Sequence, residues 1–283
     1  MSSTRNIKQR IENVESVEQL IKAMDMVAST KLIKSRSQLE GVRPIYNALK
    51  NIVEIIGKHE EAKDHVYYQE REVKNSLYII LTSDKGLSGG YNTNISYKAL
   101  EHMEGKNEKL LVVGFKGNDF FQKHGKNILK SVIDVSDTQV YYGSESLAKW
   151  STEKFLSGEV DEVFVCYTDF INVLNYEPIV ERMLPISPWS GESEESEIKY
   201  EPDIVVFIDE MVPLYLHMNL FRAFSEAHTS ENAARMVSMD AAGKNAEEVI
   251  EDLMRQYNRI RQAAITSEIT EIVGSRSVMN KEE

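Results

Sequence analysis

The stretch IKQRIENVESVEQLIKAMDMVA, residues 7–28, decides the fold of this 283-residue chain. Its apolar residues recur every seven positions, and a second set fills the alternate position: Ile7, Val14, Ile21 and Ala28, then Val17 and Met24. A 3.5-residue apolar repeat is narrower than the face of an ordinary globular helix and is typical of a coiled-coil seam. The N-terminal region is therefore predicted to be a long helix that packs against another helix.

The C-terminal region carries a matching repeat. Its apolar residues follow one another at alternating spacings of four and three: Ala246, Ile250, Leu253, Tyr257, Ile260 and Ala264. Two seams of the same period at opposite ends of one chain predict a long antiparallel coiled coil. We assign residues 1–57 and 210–283 to its two helices.

The N-terminal seam is predicted to change register partway along the helix. After Ala28 the apolar positions move to a new series: Leu32, Leu39, Tyr46 and Val53, with Val42, Leu49 and Ile56 between them. The four-residue step after Ala28 predicts a stutter, which locally unwinds a supercoil. Gly41 and Pro44 are expected to bend or interrupt the helix.

The middle of the chain, residues 75–209, has a different period. Short continuous apolar runs predict buried parallel strands at 77–81, 110–113, 163–165 and 204–208. Helix-like patterns lie between them, at 93–104, 116–123 and 143–157. Alternation of strand and helix predicts a layered α/β domain with a mostly parallel sheet. The acidic, serine-rich segment 190–201 is predicted to be a surface loop.

Composition narrows the classes of function. The formal net charge is −12 and the isoelectric point is near 5.1, which argues against a nucleic-acid binder because such proteins carry a basic patch. Cys166 is the only cysteine, so an internal disulfide is excluded, and its apolar neighbours predict a buried, inert thiol. No apolar leader and no stretch of about 18 uncharged apolar residues is visible, so no membrane span is predicted.

The segment SDKGLSGGYN, residues 83–92, is the most distinctive motif of the middle domain. It follows a predicted strand and precedes a predicted helix, where doubly wound folds place phosphate-binding glycines. Its glycine spacing matches neither dinucleotide nor P-loop fingerprints, and Lys85 precedes the first glycine instead of following the last. A tight turn or a partner-contact loop is favoured over a nucleotide site.

Catalytic chemistry has no clear signature in the sequence. The six histidines lack metal-ligand spacing, and the aspartates show no arrangement for acid–base work. From pattern alone, a helical hairpin that only scaffolds or dimerises the protein stays open. A stand-alone nucleotide-binding α/β enzyme with a coiled-coil dimerisation stalk is the second alternative.

Four segments, in order, resemble the motifs of the F-type ATP synthase gamma subunit. They are KAMDMVASTKL (22–32), SDKGLSGGYN (83–92), SENAARMVSM (230–239) and YNRIRQAAITSEITEIV (257–273). The resemblance implies a non-catalytic rotary central stalk that couples ion translocation to ATP synthesis or hydrolysis. It also implies that the middle domain, residues 75–209, is a Rossmann-like α/β domain. A gamma-like subunit reused in another rotary motor is the remaining alternative.

The resemblance also implies partners and a location. The partners are the alpha and beta subunits in a hexameric ring, the epsilon subunit and the membrane c-ring, with no nucleic acid. ATP, ADP and magnesium are expected in the partner subunits, and no cofactor is expected in this chain. The implied place is the cytoplasmic side of a bacterial cell membrane, as a peripheral protein.

Individual residues follow from their positions in the motifs. The resemblance implies contact with the catalytic subunits for one set: Lys22, Met24, Arg261, Gln262, Thr266 and Glu268. In the loop of the second motif, where a tight turn is the alternative, the residues assigned to a partner contact are Asp84, Lys85, Gly86, Gly89 and Gly90. Glu15 and Glu18 depart from the family, which usually carries a basic stretch there, and the plant-type regulatory cysteine pair is absent.

Overall fold

The fold is known from a computed structural model that describes residues 2–135, 139–187 and 203–279. Its helices are α1 (Ser2–Ile56), α2 (Glu60–Lys63), α3 (Tyr91–His102), α4 (Phe115–Lys123), α5 (Val140–Leu156) and α6 (Ile204–Met279). Its strands are β1 (Ser76–Leu81), β2 (Glu108–Val113), β3 (Ile128–Val132), β4 (Glu162–Phe170) and β5 (Tyr176–Leu184). The predicted acidic loop 190–201 lies outside the described residues.

The chain divides into two compact units. The helical unit consists of Met1–Val27 and Met236–Glu283, and the sheet unit consists of Ala28–Arg235. The division falls inside α1 and α6, so each of these helices contributes to both units. The predicted α/β fold with long terminal helices is confirmed.

The sheet unit is built on five strands in the order β3-β2-β1-β4-β5. The first four strands are parallel, and β5 pairs antiparallel with β4 at the edge. Strand β1 lies at the centre of the sheet, and all six of its residues are buried. Its continuous apolar run from Leu77 to Leu81 is the sequence expected of a strand that is covered on both faces.

Two apolar layers cover the faces of this sheet. Leu77, Ile79 and Leu81 of β1 belong to the larger cluster, which also contains residues of α1, α5 and α6. Tyr78 and Ile80 point to the smaller cluster, which contains residues of α3 and α4. The alternation along β1 therefore assigns the long helices to one face and the short helices to the other.

Within the sheet unit, α1 and α6 run antiparallel. Gln38 Nε2 lies 3.4 Å from Ser225 Oγ, and the ring centroids of Tyr46 and Tyr215 lie 5.9 Å apart. Residue numbers thus rise along one helix as they fall along the other. Arg43 adds an ion pair, because its Nε donates to Glu226 Oε1 at 2.7 Å.

A buried arginine ties this helix pair to the sheet. Arg222 of α6 donates to Tyr167 Oη and Glu181 Oε2, both at 2.7 Å, and its guanidinium lies 4.2 Å from the ring centroid of Tyr46. Desolvation lowers the pKa of Arg222, but its interactions with Tyr167, Glu181 and Tyr46 together raise it by more, so the net pKa is above its ordinary value. The guanidinium therefore stays charged in a largely apolar setting.

The seam of α1 corrects one sequence-based prediction. Val17 is 51% exposed, and the alternate seam position is filled instead by Ile11, which is buried, and by Glu18 and Asp25, which are half-buried. With these residues included, buried and half-buried positions of α1 form a series with alternating spacings of four and three, and the step from Ala28 to Leu32 belongs to that series. The predicted stutter is therefore wrong, because apolarity alone favoured Val17 over the acidic residue beside it.

Neither Gly41 nor Pro44 interrupts α1, which is helical from Ser2 to Ile56 with Pro44 inside it. The seam positions predicted beyond Ala28 are confirmed, since all of them are buried: Leu32, Leu39, Val42, Tyr46, Leu49, Val53 and Ile56. Burial of this stripe outweighs the hydrogen bond lost at a proline, because tertiary packing supplies most helix stability in proteins.

The strand predicted at 204–208 is wrong, because these residues begin α6. Ile204, Ile208 and Val212 are buried at a spacing of four, while Val205 and Val206 are exposed. A short apolar run does not distinguish a strand from a buried helix. Strands β3 and β5 were missed for the opposite reason, since both lie at sheet edges and carry charged residues or a proline.

One described helix, α6, contains an 18-residue window that is apolar enough to cross a membrane by composition, with mean hydropathy 1.4. Burial accounts for that composition, since 56% of the window is inside the protein. The predicted inert thiol is confirmed: Cys166 of β4 is fully buried, and burial raises its pKa.

Candidate functional site

The predicted contact residues near the C-terminus lie on an exposed segment of α6. Arg261, Gln262, Thr266 and Glu268 are all exposed. Thr266 Oγ1 donates to the carbonyl oxygen of Gln262 at 2.9 Å, so its hydroxyl hydrogen is directed back to its own helix. Thr270 Oγ1 donates in the same way to the carbonyl oxygen of Thr266 at 2.8 Å, whereas the exposed side chains of Arg261, Gln262 and Glu268 are accessible to another protein.

Apolar residues on the same segment are exposed as well. Ile265 is 48% exposed, and Ile269 and Val273 are more exposed still. Single exposed apolar side chains are ordinary, but several on one segment are typical of an interaction surface. The seam predicted for this region is confirmed, because Leu253 is buried and Tyr257, Ile260 and Ala264 are half-buried.

Lys22 and Met24 lie on α1 in the same helical unit. Lys22 Nζ forms ion pairs with Glu18 and, at 3.1 Å, with Glu247 of α6. Hydrogen bonds to Glu18 and then to Glu247 raise the pKa of the exposed Lys22. Met24 is half-buried. Within the described part of the chain, no hydrogen bond or ion pair joins Lys22 to the four predicted residues of α6.

The loop 83–92 connects β1 to α3 in the sheet unit and is held by its own side chains. Asn92 Oδ1 accepts from the Ser83 backbone N–H at 2.9 Å, and Asn92 Nδ2 donates to Ser83 Oγ at 2.7 Å. Asp84 accepts the backbone N–H of Phe115 at 2.9 Å and that of Asp134 at 3.0 Å. Asp84 is therefore committed to the fold, whereas Lys85 is exposed.

The glycines of this loop serve its backbone. Gly89 has a φ of 54° and Leu87 a φ of 64°, so the chain turns through the left-handed region that favours glycine. Gly90 is the N-cap residue of α3, and Gly86 offers its carbonyl oxygen to Arg235. These contacts are those of a tight turn. The partner contact predicted for this loop stays a prediction.

Arg235 of α6 joins two of the sequence motifs. Its Nη2 pairs with Glu231 at 2.7 Å, and its guanidinium makes longer contacts of 3.4 to 3.5 Å with the carbonyl oxygens of Gly86 and Lys85. The spacing of four between Glu231 and Arg235 is visible in the sequence. The contact with the loop is not, because the two segments are about 150 residues apart.

A cavity of about 310 Å³ opens beside this contact, at the carboxyl ends of β1 and β2. Its lining includes Ser83, Asp84 and Lys85 of the loop and Glu231 and Arg235 of α6. Over the described residues, no cluster of three or more histidine, cysteine or carboxylate side chains forms a metal site. The sequence drew attention to the loop but did not predict the cavity, because α6 forms one wall.

Comparisons with known proteins bear on the whole chain. The profile of a family described as ATP synthase matches residues 3–279. A protein of Desulforamulus reducens named ATP synthase gamma chain is 36% identical over 99% of this chain and 100% of its own length. A protein of the same name from Staphylococcus saprophyticus is 36% identical, covering 97% of this chain and 98% of the relative.

Solved structures agree on the fold. A chain of the Euglena gracilis mitochondrial ATP synthase, in an OSCP/F1/c-ring structure, matches with a TM-score of 0.70 at 17% identity, covering 98% of this chain and 95% of that chain. A chain of the Tetrahymena thermophila central stalk and c-ring structure matches with a TM-score of 0.63 at 22% identity, covering 79% of this chain and 99% of that chain. At these identities the likeness establishes the fold alone.

Proposed function

This chain belongs to the ATP synthase gamma-chain family and is the gamma subunit, the central rotor stalk; from that premise we propose that the exposed segment 261–273 is where rotation is transmitted to the catalytic subunits. The observation that carries the proposal is the exposure of polar and apolar side chains together on this part of α6. Such a surface is suited to a partner that covers it.

The proposed partners are the alpha and beta subunits of a hexameric ring, with the epsilon subunit and the membrane c-ring at the sheet unit. An asymmetric helix pair presents a different face to each of three catalytic sites, so turning it changes which conformation each site prefers. Shifting a site from 1:99 to 99:1 requires about 5.5 kcal/mol of differential contact. A few charged contacts, such as those available to Arg261 and Glu268, supply energies of that order.

In this proposal the paired ends of α1 and α6 form an antiparallel coiled coil, and Lys22 and Met24 contribute contacts on the α1 side. The ion pair of Lys22 with Glu247 fastens the two helices where they would enter the ring. Lys85 and its neighbours in loop 83–92 form a second contact with a partner, because Lys85 is exposed while Asp84 holds the loop in place.

We assign ATP, ADP and magnesium to the partner subunits, with no cofactor held by this chain for the coupling reaction. The complex is membrane-associated and gamma is peripheral to it. The relatives are bacterial, so we place this chain at the cytoplasmic face of the cell membrane. The same assignment makes gamma a non-catalytic subunit.

The test is ATP turnover by the complex of this chain with its alpha and beta subunits. We expect Arg261→Ala to lower ATP turnover about tenfold, the effect of one lost charged hydrogen bond of about 1.4 kcal/mol. The matched control is Arg255→Ala, because Arg255 is also exposed on α6 but pairs with Glu251 of its own helix. Equal turnover with both variants and with the unchanged chain would contradict the proposed contact.

A further inference from the structure

The cavity at the carboxyl ends of β1 and β2 lies apart from the exposed segment that carries the proposed function. In open α/β sheets, ligands bind outside the carboxyl ends of the strands. A volume of about 310 Å³ is at the lower end of the range for small-molecule sites. The place and the size therefore suit a small ligand.

The charged groups of the lining fall into two classes. The positively charged residues are Lys31, Lys85 and Arg235, and the negatively charged residues are Asp84, Asp134 and Glu231; the imidazole of His228 also lines the cavity. Two of the carboxylates accept hydrogen bonds from protein donors. Asp84 accepts two backbone N–H groups, and Glu231 accepts from Arg235 at 2.7 Å. Asp134 is exposed at the rim.

Hydrogen-bond donors, in contrast, are left over. Lys85 Nζ forms no hydrogen bond or ion pair with any residue that the structure describes. Arg235 uses Nε and Nη2 in its contacts, and its Nη1 donates to no described residue. Lys85 and Arg235 therefore each offer a positively charged donor group to a ligand, and an anion is the kind of ligand that such groups bind.

The walls of the cavity strengthen such an interaction. Tyr91 and Phe224 are buried beside the polar groups, so the effective dielectric constant is lower than in water. An ammonium and a guanidinium together suit a tetrahedral oxyanion, since the guanidinium offers a planar fork and the ammonium a point charge.

We propose that this cavity binds a small phosphoryl anion, held by Lys85 and Arg235 between loop 83–92 and α6. A bound anion would link the loop to the helix more strongly than the contacts of 3.4 to 3.5 Å that Arg235 makes alone. The inference goes beyond the proposed function, because it concerns this chain by itself and needs no ATP turnover; in the complex the anion would share Lys85 with the partner contact proposed above.

Calorimetric titration of the full chain tests the proposal, with three probes in separate arms: inorganic phosphate, pyrophosphate and glycerol 3-phosphate. Phosphate or pyrophosphate binding alone would identify a free inorganic anion, and tighter binding of glycerol 3-phosphate would identify the phosphate group of a small metabolite. Either result supports the site. No detectable binding of any probe at millimolar concentration would overturn it.

Two variants locate the binding. Lys85→Gln is expected to weaken affinity about tenfold, the effect of one lost charged hydrogen bond, and the exposure of Lys85 means that the fold tolerates the change. Lys116→Gln is the matched control, because Lys116 is exposed and lies near Gly86 but is absent from the cavity lining. Equal weakening in both variants would indicate diffuse electrostatic attraction and would overturn the assignment.

Discussion

Two parts of the same helix, α6, behave in opposite ways. From Leu216 to Ala227 every residue is buried, including the polar Asn219 and Glu226. From Met254 to Val273 every residue is half-buried or exposed, and four of these residues are isoleucines. The first part is the centre of the sheet unit, and the second exposes both charges and apolar side chains.

The difference in burial corresponds to a difference in the partners of the polar side chains. Burial on all sides favours an internal partner for a polar group, as Glu226 finds in Arg43 and in the Phe170 N–H. Asn219 Nδ2 and Arg222 Nε of this part have no hydrogen-bond partner among the described residues. Exposed polar groups need no internal partner, so they are free to match another protein. Substitutions in the two parts should therefore differ in what they damage. The first experiment below compares the two parts directly, and three more compare buried with exposed or loosely packed positions elsewhere in the chain.

The largest effect is expected for Leu216→Ala, which removes a fully buried side chain. We expect the free energy of unfolding to fall by about 3.5 kcal/mol, from the lost burial and the cavity left behind. Ile265→Ala is the control on the exposed part and should change stability by less than about 0.5 kcal/mol. Urea unfolding monitored by circular dichroism measures both free energies. Similar losses in the two variants would contradict the expected difference between the buried and the exposed part of α6.

Glu181→Ala addresses the buried arginine of the same region. It leaves the Arg222 guanidinium without its carboxylate partner, and we expect a loss of about 3 kcal/mol because an unpaired buried charge is costly. Glu177→Ala, on the same strand but exposed, should cost less than about 0.5 kcal/mol. If both variants unfold at the same urea concentration, the ion pair does not stabilise the sheet unit.

Two glycine substitutions should have opposite signs. In Gly117→Ala the new Cβ would lie 2.5 Å from Thr82 Oγ1, and we expect a loss of about 2 kcal/mol from overpacking. In Gly243→Ala it would meet only Ile21 Cγ2 at 3.7 Å, so a gain of about 1 kcal/mol in helix propensity is expected. If both melting temperatures fall, the packing around Gly243 is as tight as that around Gly117; if both rise, the expected overpacking at Gly117 is wrong.

The smallest effect concerns pH. Desolvation and then the charge of Lys106 lower the pKa of His102, whose Nδ1 lies 2.9 Å from Tyr78 Oη. Since the unfolded chain then binds the proton more readily, stability should fall as pH drops below about 6.5. Solvent exposure limits the effect to a few tenths of a kcal/mol.

Urea midpoints at pH 7.5 and 5.5 measure this dependence. It should be smaller in His102→Gln than in the unchanged chain, whereas His124→Gln, an exposed residue of the same unit, serves as the control. An equal pH dependence in all three proteins would show that His102 does not contribute.

Sequence periodicity was sufficient for the terminal helices and for the central strands, because long repeats and continuous apolar runs are strong signals. It failed where two interpretations share one pattern. Val17 and Glu18 compete for the same seam position, and only packing shows that Glu18 is the shielded one. The apolar run that begins at Ile204 is compatible with a buried strand and with a buried helix.

The site residues divide in the same way. The motifs directed attention to Lys22 and Arg261, and their exposure agrees with a contact role without testing it. The contact of Arg235 with Gly86 required the fold, because no local pattern relates the loop after β1 to α6. Long-range pairs of this kind are set by sheet topology and are invisible in a single sequence.

The single cysteine has a practical consequence for spectroscopy. Cys166 is buried inside β4 and its raised pKa keeps it as a thiol at neutral pH, so maleimide dyes should not react with it in the folded protein. A substitution such as Ile265→Cys would then supply the one reactive thiol of the chain. Fluorescent or spin labels could be attached to the exposed end of α6 without first replacing the native cysteine.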